Sequence, residues 1–496
     1  MASPLTGAEA RRAARNAGAM AAARIVSSGA LFVWQLILGR LLGDAEFGVY
    51  GTVGALFGIG AAITSFSMSL IVIRDVARRP EAAGAYLSAG LFVQTALAAL
   101  AYLGLNAAAL ALGYSDAIRA YVAVAAISLF LDMLGNLCYD QLLAQEKMVW
   151  TSAVETAHIL ARIGLAGLAL WAGFGLLGVY AATLITGAGR AAVLWALLRR
   201  TGVRPRWPLD SAIVRPLLVN SAPLALSAFI NMTYVQIDKL MTTSVLTEAD
   251  TGHLNAAFVI IYGVVEILST TVLVAIYPMM SRAYEARRET FRFMVQKLSF
   301  FTLLVGLPVG LVFTAFAPAI TTPLFGDDFA PAADILRALI WYAAITMIVN
   351  VFAQSLMAQN RQRRYLAIRV GGLAFKLALN LLLLPRIGVI GAALASVCAE
   401  AVVLVMVTRG ETEGGNLSRL LRVGLVAAVT LAAMLTLGAL HPLIGMIGGG
   451  LAYAAAVLLS GVLAADDWDL LYRLAAAAPG GGLIRQVWQR ETPINW

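Results

Sequence analysis

Apolar residues along this chain neither alternate nor keep to one helical face. They come in long blocks separated by short polar stretches. A helix needs about 20 mostly apolar residues to cross a bilayer. The pattern predicts fourteen such helices, near 22–41, 48–73, 86–112, 119–144, 150–172, 175–198, 215–245, 255–280, 293–318, 334–358, 365–384, 387–408, 419–440 and 443–464. Gly54, Gly58, Pro223, Pro278 and Pro308 fall inside these blocks. Lipid-embedded helices tolerate such residues at kinks and close contacts. The predicted class is an all-α polytopic membrane protein.

Composition strengthens that reading. The 496 residues are 60% hydrophobic and 13% charged, where a soluble domain carries about 25% charge. A soluble enzyme, a nucleic-acid binder and a disordered scaffold are all excluded as function classes. Cys138 and Cys398 lie inside apolar blocks, so neither a disulfide framework nor a thiolate metal site is expected. The net charge of +9 matters less than its placement. Most Lys and Arg fall in alternate loops, among them Arg74, Arg78 and Arg79, then Arg199 to Arg215, Arg282 to Lys297 and Arg361 to Arg369. The intervening loops hold only Arg40, Arg119 and Arg386. The positive-inside rule then places both termini in the cytoplasm, which an even number of spans requires. The expected segments are a basic cytoplasmic stretch 1–20, spans one to six in 21–205, spans seven to twelve in 206–410, two further spans in 411–465, and an interfacial tail 466–496. The first span is too long for a cleavable signal.

An internal repeat relates the first two sets of six. Asp44-Ala-Glu-Phe-Gly48 corresponds to Glu248-Ala-Asp-Thr-Gly252, and Leu142-Leu-Ala-Gln145 to Leu356-Met-Ala-Gln359. Gly175-Leu-Leu-Gly178 corresponds to Gly388-Val-Ile-Gly391 at nearly the same interval, and Arg162 falls opposite Lys376. Six is even, so both halves enter from one face. They are then related by an axis along the membrane normal, with a cavity between them.

Ionisable groups inside spans are costly and mark function or its supports. Span five carries Glu155, His158 and Arg162 on one face, and span seven ends its polar stripe with Asp238 and Lys239. Asp132 lies in span four, Glu266 in span eight, Arg369 and Lys376 in span eleven, and Glu400 in span twelve. Arg24, Arg162, Lys239, Arg369 and Lys376 are the candidate cationic cavity. Asp132, Glu155, His158, Asp238, Glu266 and Glu400 are the candidate coupling groups or charge partners. Arg matches phosphate through its planar fork of donors, so an anionic head group is the implied cargo. No metal site, cofactor or catalytic constellation is expected.

The run Gly39-Arg40-Leu-Leu-Gly43-Asp-Ala-Glu-Phe47-Gly48-Val-Tyr50 resembles the start of the polysaccharide biosynthesis proteins. These are the oligosaccharide flippases of the superfamily that also holds multidrug extruders and lipid II flippases. Gln236-Ile-Asp238-Lys239-Leu240, Leu324-Phe-Gly326 and Gly388-Val-Ile-Gly391-Ala-Ala are similar to further family segments, and the resemblance covers about 20–465. It implies a flippase carrying an undecaprenyl-pyrophosphate-linked oligosaccharide from the cytoplasmic to the outer leaflet of a bacterial inner membrane. The last two spans would groove the lipid tail. It implies no nucleic-acid partner, a monomer, coupling to Na+ or H+, and contacts with a glycan polymerase or other proteins of the route. The second outer turn departs from the family, which shows Gly-x-Tyr where this chain has Gly252-His253-Leu254. The alternatives are an ion-coupled drug or metabolite exporter and, in another class, a membrane glycan polymerase or ligase. Such an exporter uses acidic sites for cationic drugs. The polymerase needs large basic outer loops that this chain lacks.

Overall fold

A computed structural model of the chain describes the backbone of residues 7–409, 417–464 and 466–469. Side chains are described from Val26 onward, apart from those at 269–272, 274, 275, 278, 417, 418 and 420. The helices are α1 (Gly7–Ser65), α2 (Ser69–Arg78), α3 (Ala83–Ala111), α4 (Asp116–Ala144), α5 (Met148–Trp171), α6 (Gly175–Arg200), α7 (Ser211–Val245) and α8 (Glu248–Val265). They continue with α9 (Thr271–Ala286), α10 (Arg288–Phe325), α11 (Ala332–Ala358), α12 (Gln362–Ile387), α13 (Val389–Thr408), α14 (Leu417–Gly438) and α15 (Pro442–Leu459). No strand occurs among the described residues. Helices dominate because a backbone in hydrocarbon must satisfy every N–H and C=O internally.

Thirteen helical segments among the described residues are long and apolar enough to cross a membrane. The first, Val26–Arg78, holds two of the fourteen expected spans. α1 runs through the expected outer turn and kinks at Gly43, whose φ of +74° is relaxed only for glycine. Two expected spans are subdivided. The second stops at Ser65, where Phe66 and Ser67 turn left-handed, and the amphipathic α2 begins anew. The eighth is divided by a wider π-type turn over Glu266–Thr270.

The chain divides into two compact units. The first holds residues 1–264, 320–342 and 363–403. In it α3, α4, α5 and α6 pack side by side, and α1 lies against α3, α4, α5 and α7. Apolar residues of α2 (Ile71, Val72, Val76) bury against Ala89 and Val93 of α3 and Leu217 of α7. Ser115 and Asp210 cap α4 and α7 by accepting from the amides of Ile118 and Ala212.

The second unit holds residues 265–319, 343–362 and 404–496. Here α14 and α15 form a tight hairpin. A Cβ on Gly445 would stand 2.7 Å from Gly438 Cα, so glycine is needed there. The segment after α15 is tied down by the fully buried Asp467. Its carboxylate pairs with Lys297 of α10 at 2.5 Å and with Arg419 of α14, and it accepts from the Ala464 amide at 2.8 Å. Burial pushes the Asp467 carboxyl up, but Lys297, the Ala464 amide and Arg419 outweigh it and hold the group below its ordinary value. A carboxyl lowered by folding adds stability above its unfolded value, and that stability is lost as pH falls through the folded one. Asp467→Asn should therefore cost about 3 kcal/mol at neutral pH. In detergent unfolding scans the gap from wild type should close as pH falls below 4. A gap that persists in acid would show that the carboxylate charge is not what holds the segment. The expected tail beyond Asp469 and the segment 1–6 lie outside the described residues.

Candidate functional site

Polar groups of the spans gather in two places in the first unit. The first is built by α4, α5 and α6. Arg190 of α6 places Nε and Nη2 both 2.7 Å from Glu155 Oε1 of α5. Nη2 also donates to Asn136 Oδ1 of α4 at 2.8 Å. The guanidinium crosses Gly135, where a Cβ would stand 3.2 Å from its Cζ and overlap Nη1. The glycine makes room for the arginine.

One turn beyond Glu155, His158 has a buried Nε2 with no hydrogen-bond partner. One turn further, the half-buried Arg162 makes no ion pair or hydrogen bond among the described residues. It lies within electrostatic range of Tyr50, Asp132 and His158. Asp132, half-buried on α4, is likewise unpaired.

The second cluster joins α7, α12 and α13. Lys376 Nζ lies 2.6 Å from Asp238 Oδ2 and donates to the Tyr234 carbonyl at 2.8 Å. Both residues are 0% exposed at the side chain. Asn380 donates to Asp238 Oδ1 at 2.9 Å, and Ser396 donates to Oδ2 at 2.6 Å. Both oxygens of Asp238 are therefore occupied by donors. Glu400 Oε2 accepts from the Tyr234 hydroxyl at 2.7 Å and from Arg369 Nη1 at 3.1 Å. The Tyr234 ring links the two pairs, with Arg369 Cζ and Lys376 Nζ each 4.6 Å from its centroid.

Lys239 differs. Although it is nearly buried and next to Asp238, its ammonium forms no ion pair or hydrogen bond among the described residues. Its ammonium sits 5.6 Å from the Phe258 ring and 5.8 Å from the Tyr262 ring. Such ring faces attract a cation through the quadrupole of the π-system.

A third feature lies where the two homologous turns meet. α1 crosses the start of α8 at Gly48 and Gly252. A Cβ on Gly48 would stand 2.8 Å from both the Glu248 carbonyl carbon and the Gly252 amide nitrogen, and closer still to the Glu248 oxygen. A Cβ on Gly252 would stand 2.7 Å from the Asp44 carbonyl carbon. Around this crossing Thr243 bonds Thr52 at 2.6 Å and Thr251 at 2.9 Å, and Ser115 donates to Glu248 at 2.7 Å. His253 Nε2 lies 3.3 Å from Asp44 and 3.0 Å from the Asp328 carbonyl.

The structure thus gathers Asp132, Glu155, His158 and Arg162 in one cluster and Asp238, Lys239, Arg369, Lys376 and Glu400 in the other. Glu266 stands half-buried on the π-type turn of the second unit. The Arg24 side chain lies outside the described residues. Arg190, which the sequence-derived candidates do not include, takes Glu155, and Lys239 is covered by rings. Asn380 and Ser396 are not on the sequence-derived list. Their signal is spacing: Asn380 is one turn after Lys376, and Ser396 is one turn before Glu400.

The sequence matches, over residues 37–334, a family described as polysaccharide biosynthesis protein. No curated protein matches it. Among solved structures it is similar to a lipid II flippase in an inward closed conformation, with a TM-score of 0.70 and 14% identity over 88% of this chain and 97% of that one. It is also similar to an inward-facing multidrug resistance MATE family transporter of the MOP superfamily, with a TM-score of 0.59 and 15% identity over 78% and 93% of the two chains. A mutant Vibrio cholerae MATE transporter gives a TM-score of 0.52 and 17% identity over 80% and 96%. At such identities the likeness is one of fold.

Proposed function

The chain belongs to the polysaccharide biosynthesis protein family, and on that premise we propose that it flips a lipid-linked oligosaccharide across the membrane by alternating access. The fold is that of transporters and flippases, and the function is transport rather than catalysis. The observation that carries the cargo assignment is the division among the interior cations. Arg190, Arg369 and Lys376 are neutralised by Glu155, Glu400 and Asp238, whereas Arg162 and Lys239 are not. A desolvated cation without a counter-ion is costly, and an anionic cargo offsets that cost while bound. The pyrophosphate of an undecaprenyl-linked glycan is such an anion, taken from the cytoplasmic leaflet and released to the outer one. The Lys and Arg bias supports an orientation with both termini cytoplasmic, and the inner membrane is where a carrier-linked glycan would be flipped.

The acidic candidates divide in the same way. Glu155, Asp238 and Glu400 hold basic partners, and Asp132 is the unpaired one in their two clusters. The unpaired carboxylate of Asp132 supports a reading in which it couples transport to a Na+ or H+ gradient.

In proteoliposomes loaded with undecaprenyl-pyrophosphate-linked oligosaccharide, Arg162→Ala should cut transport at least tenfold, a loss equivalent to about 1.4 kcal/mol. Adding Lys239→Ala should remove what remains, with thermal unfolding unchanged. Export of cationic drugs with no glycan movement would favour the exporter reading instead. Full glycan transport by the double variant would sink the cargo assignment.

A further inference from the structure

Beside the unpaired Arg162 the structure buries polar atoms that nothing satisfies. Gln35 Oε1 on α1, His158 Nε2 on α5 and the Tyr180 hydroxyl on α6 have no hydrogen-bond partner. Tyr180 is only 7% exposed. They belong to one neighbourhood. The Tyr50 hydroxyl lies beside the Gln35 side chain and within electrostatic range of Arg162. The Tyr180 ring stacks on Tyr50 with centroids 6.4 Å apart and planes 26° from parallel. His158 is one turn before Arg162 on the same helix.

Depth agrees for Gln35, Tyr50, Tyr180 and Arg162, while His158 stands one turn, about 6 Å, deeper than Arg162. Gln35 and Tyr50 lie within eight residues of the Gly43 kink, Tyr180 is five residues into α6, and Arg162 is nine residues before the end of α5. At a rise of about 1.5 Å per residue, all four sit roughly 8–14 Å from the helix ends nearest them.

A buried donor or acceptor left unmade destabilises the fold, so an apolar filling would be the cheaper choice here. The unmade groups are an amide oxygen, a hydroxyl and an imidazole nitrogen, a mixture of acceptors and donors. A single anion would ask for donors alone. A hydroxyl-rich ring asks for both, and Tyr50 and Tyr180 give it flat apolar faces.

Resting on the flippase reading above, we propose that Gln35, His158 and Tyr180 form a sugar subsite next to the phosphate-binding Arg162. This subsite reads the hydroxyls of the residue joined directly to the carrier phosphate. It is covered in this conformation.

The test is binding to the full-length protein in nanodiscs of two probes, undecaprenyl pyrophosphate and the same carrier bearing one hexose. Wild type should prefer the hexosyl carrier by about tenfold, a value set by one or two hydrogen bonds. Gln35→Ala and Tyr180→Phe should each cut that preference towards parity, while affinity for the bare carrier and the unfolding temperature stay as in wild type. Arg162→Ala should weaken both probes alike. A preference that survives Gln35→Ala and Tyr180→Phe, or its absence from wild type, would overturn the subsite. So would a variant that loses the bare carrier as well, which would mark these residues as structural. Wild type binding neither probe would instead bring down the flippase reading, and the subsite with it.

Discussion

Gly48→Ala is expected to abolish transport, because its added methyl has nowhere to go. The Cβ would overlap the Glu248 carbonyl and press on the Gly252 amide, and both obstacles are main chain. A flexible side chain could swing aside; two helix backbones cannot. The reciprocal contact, Gly252 against Asp44, makes the crossing equally intolerant from the other side. Overpacking of this kind costs about 1–3 kcal/mol, enough to shift a two-state equilibrium by one to two orders of magnitude. The variant should fold but stay parted at this crossing. Cysteines at Ser115 and Glu248, whose side chains meet at 2.7 Å, give a direct readout in a background lacking Cys138 and Cys398. The pair should cross-link readily with Gly48 present and poorly with alanine there. Efficient cross-linking together with undiminished transport in Gly48→Ala would show that this crossing does not govern closure.

The membrane class and the helices were legible because hydrocarbon leaves so few ways to satisfy a backbone. Block length alone located the spans. Gly48 and Gly252, matched as sequence in the two expected turns, meet in space as a crossing. Where the turns fall was less legible. Phe66 and Ser67 adopt left-handed backbone without glycine, and Met68 beyond them is fully buried, so nothing in the apolar block marks the break before α2. Charge pairing was the least legible of all. Periodicity puts Glu155, His158 and Arg162 on one face of α5, and a reading confined to that helix pairs Glu155 with Arg162. The partner it takes is Arg190, from α6. A long arginine over a glycine is a contact between helices, and periodicity within one helix cannot report it.

The same limit bears on Lys376, which sequence symmetry sets opposite Arg162 as a second cargo cation. Lys376→Met should destabilise the chain by about 3–5 kcal/mol, since it strands the fully buried Asp238 carboxylate with only Asn380 and Ser396 as donors. Asp238→Asn in the same chain removes the stranded charge, and an apolar or neutral filling of a former ion pair is often neutral in stability. The double variant should recover to within about 1 kcal/mol of wild type. It should also transport, per folded molecule, at a substantial fraction of the wild-type rate. Arg162→Ala has no such rescue available, because among the described residues Arg162 makes no ion pair that a second substitution could remove. Unfolding in detergent, read beside transport normalised to folded protein, separates the two cases. If the Asp238→Asn, Lys376→Met pair is stable yet as inactive as Arg162→Ala, then Lys376 acts on cargo and the ion pair is only its resting state. If stability and transport return together, the buried pair joins α7 to α12, and the matched position in the first half carries the anion without it.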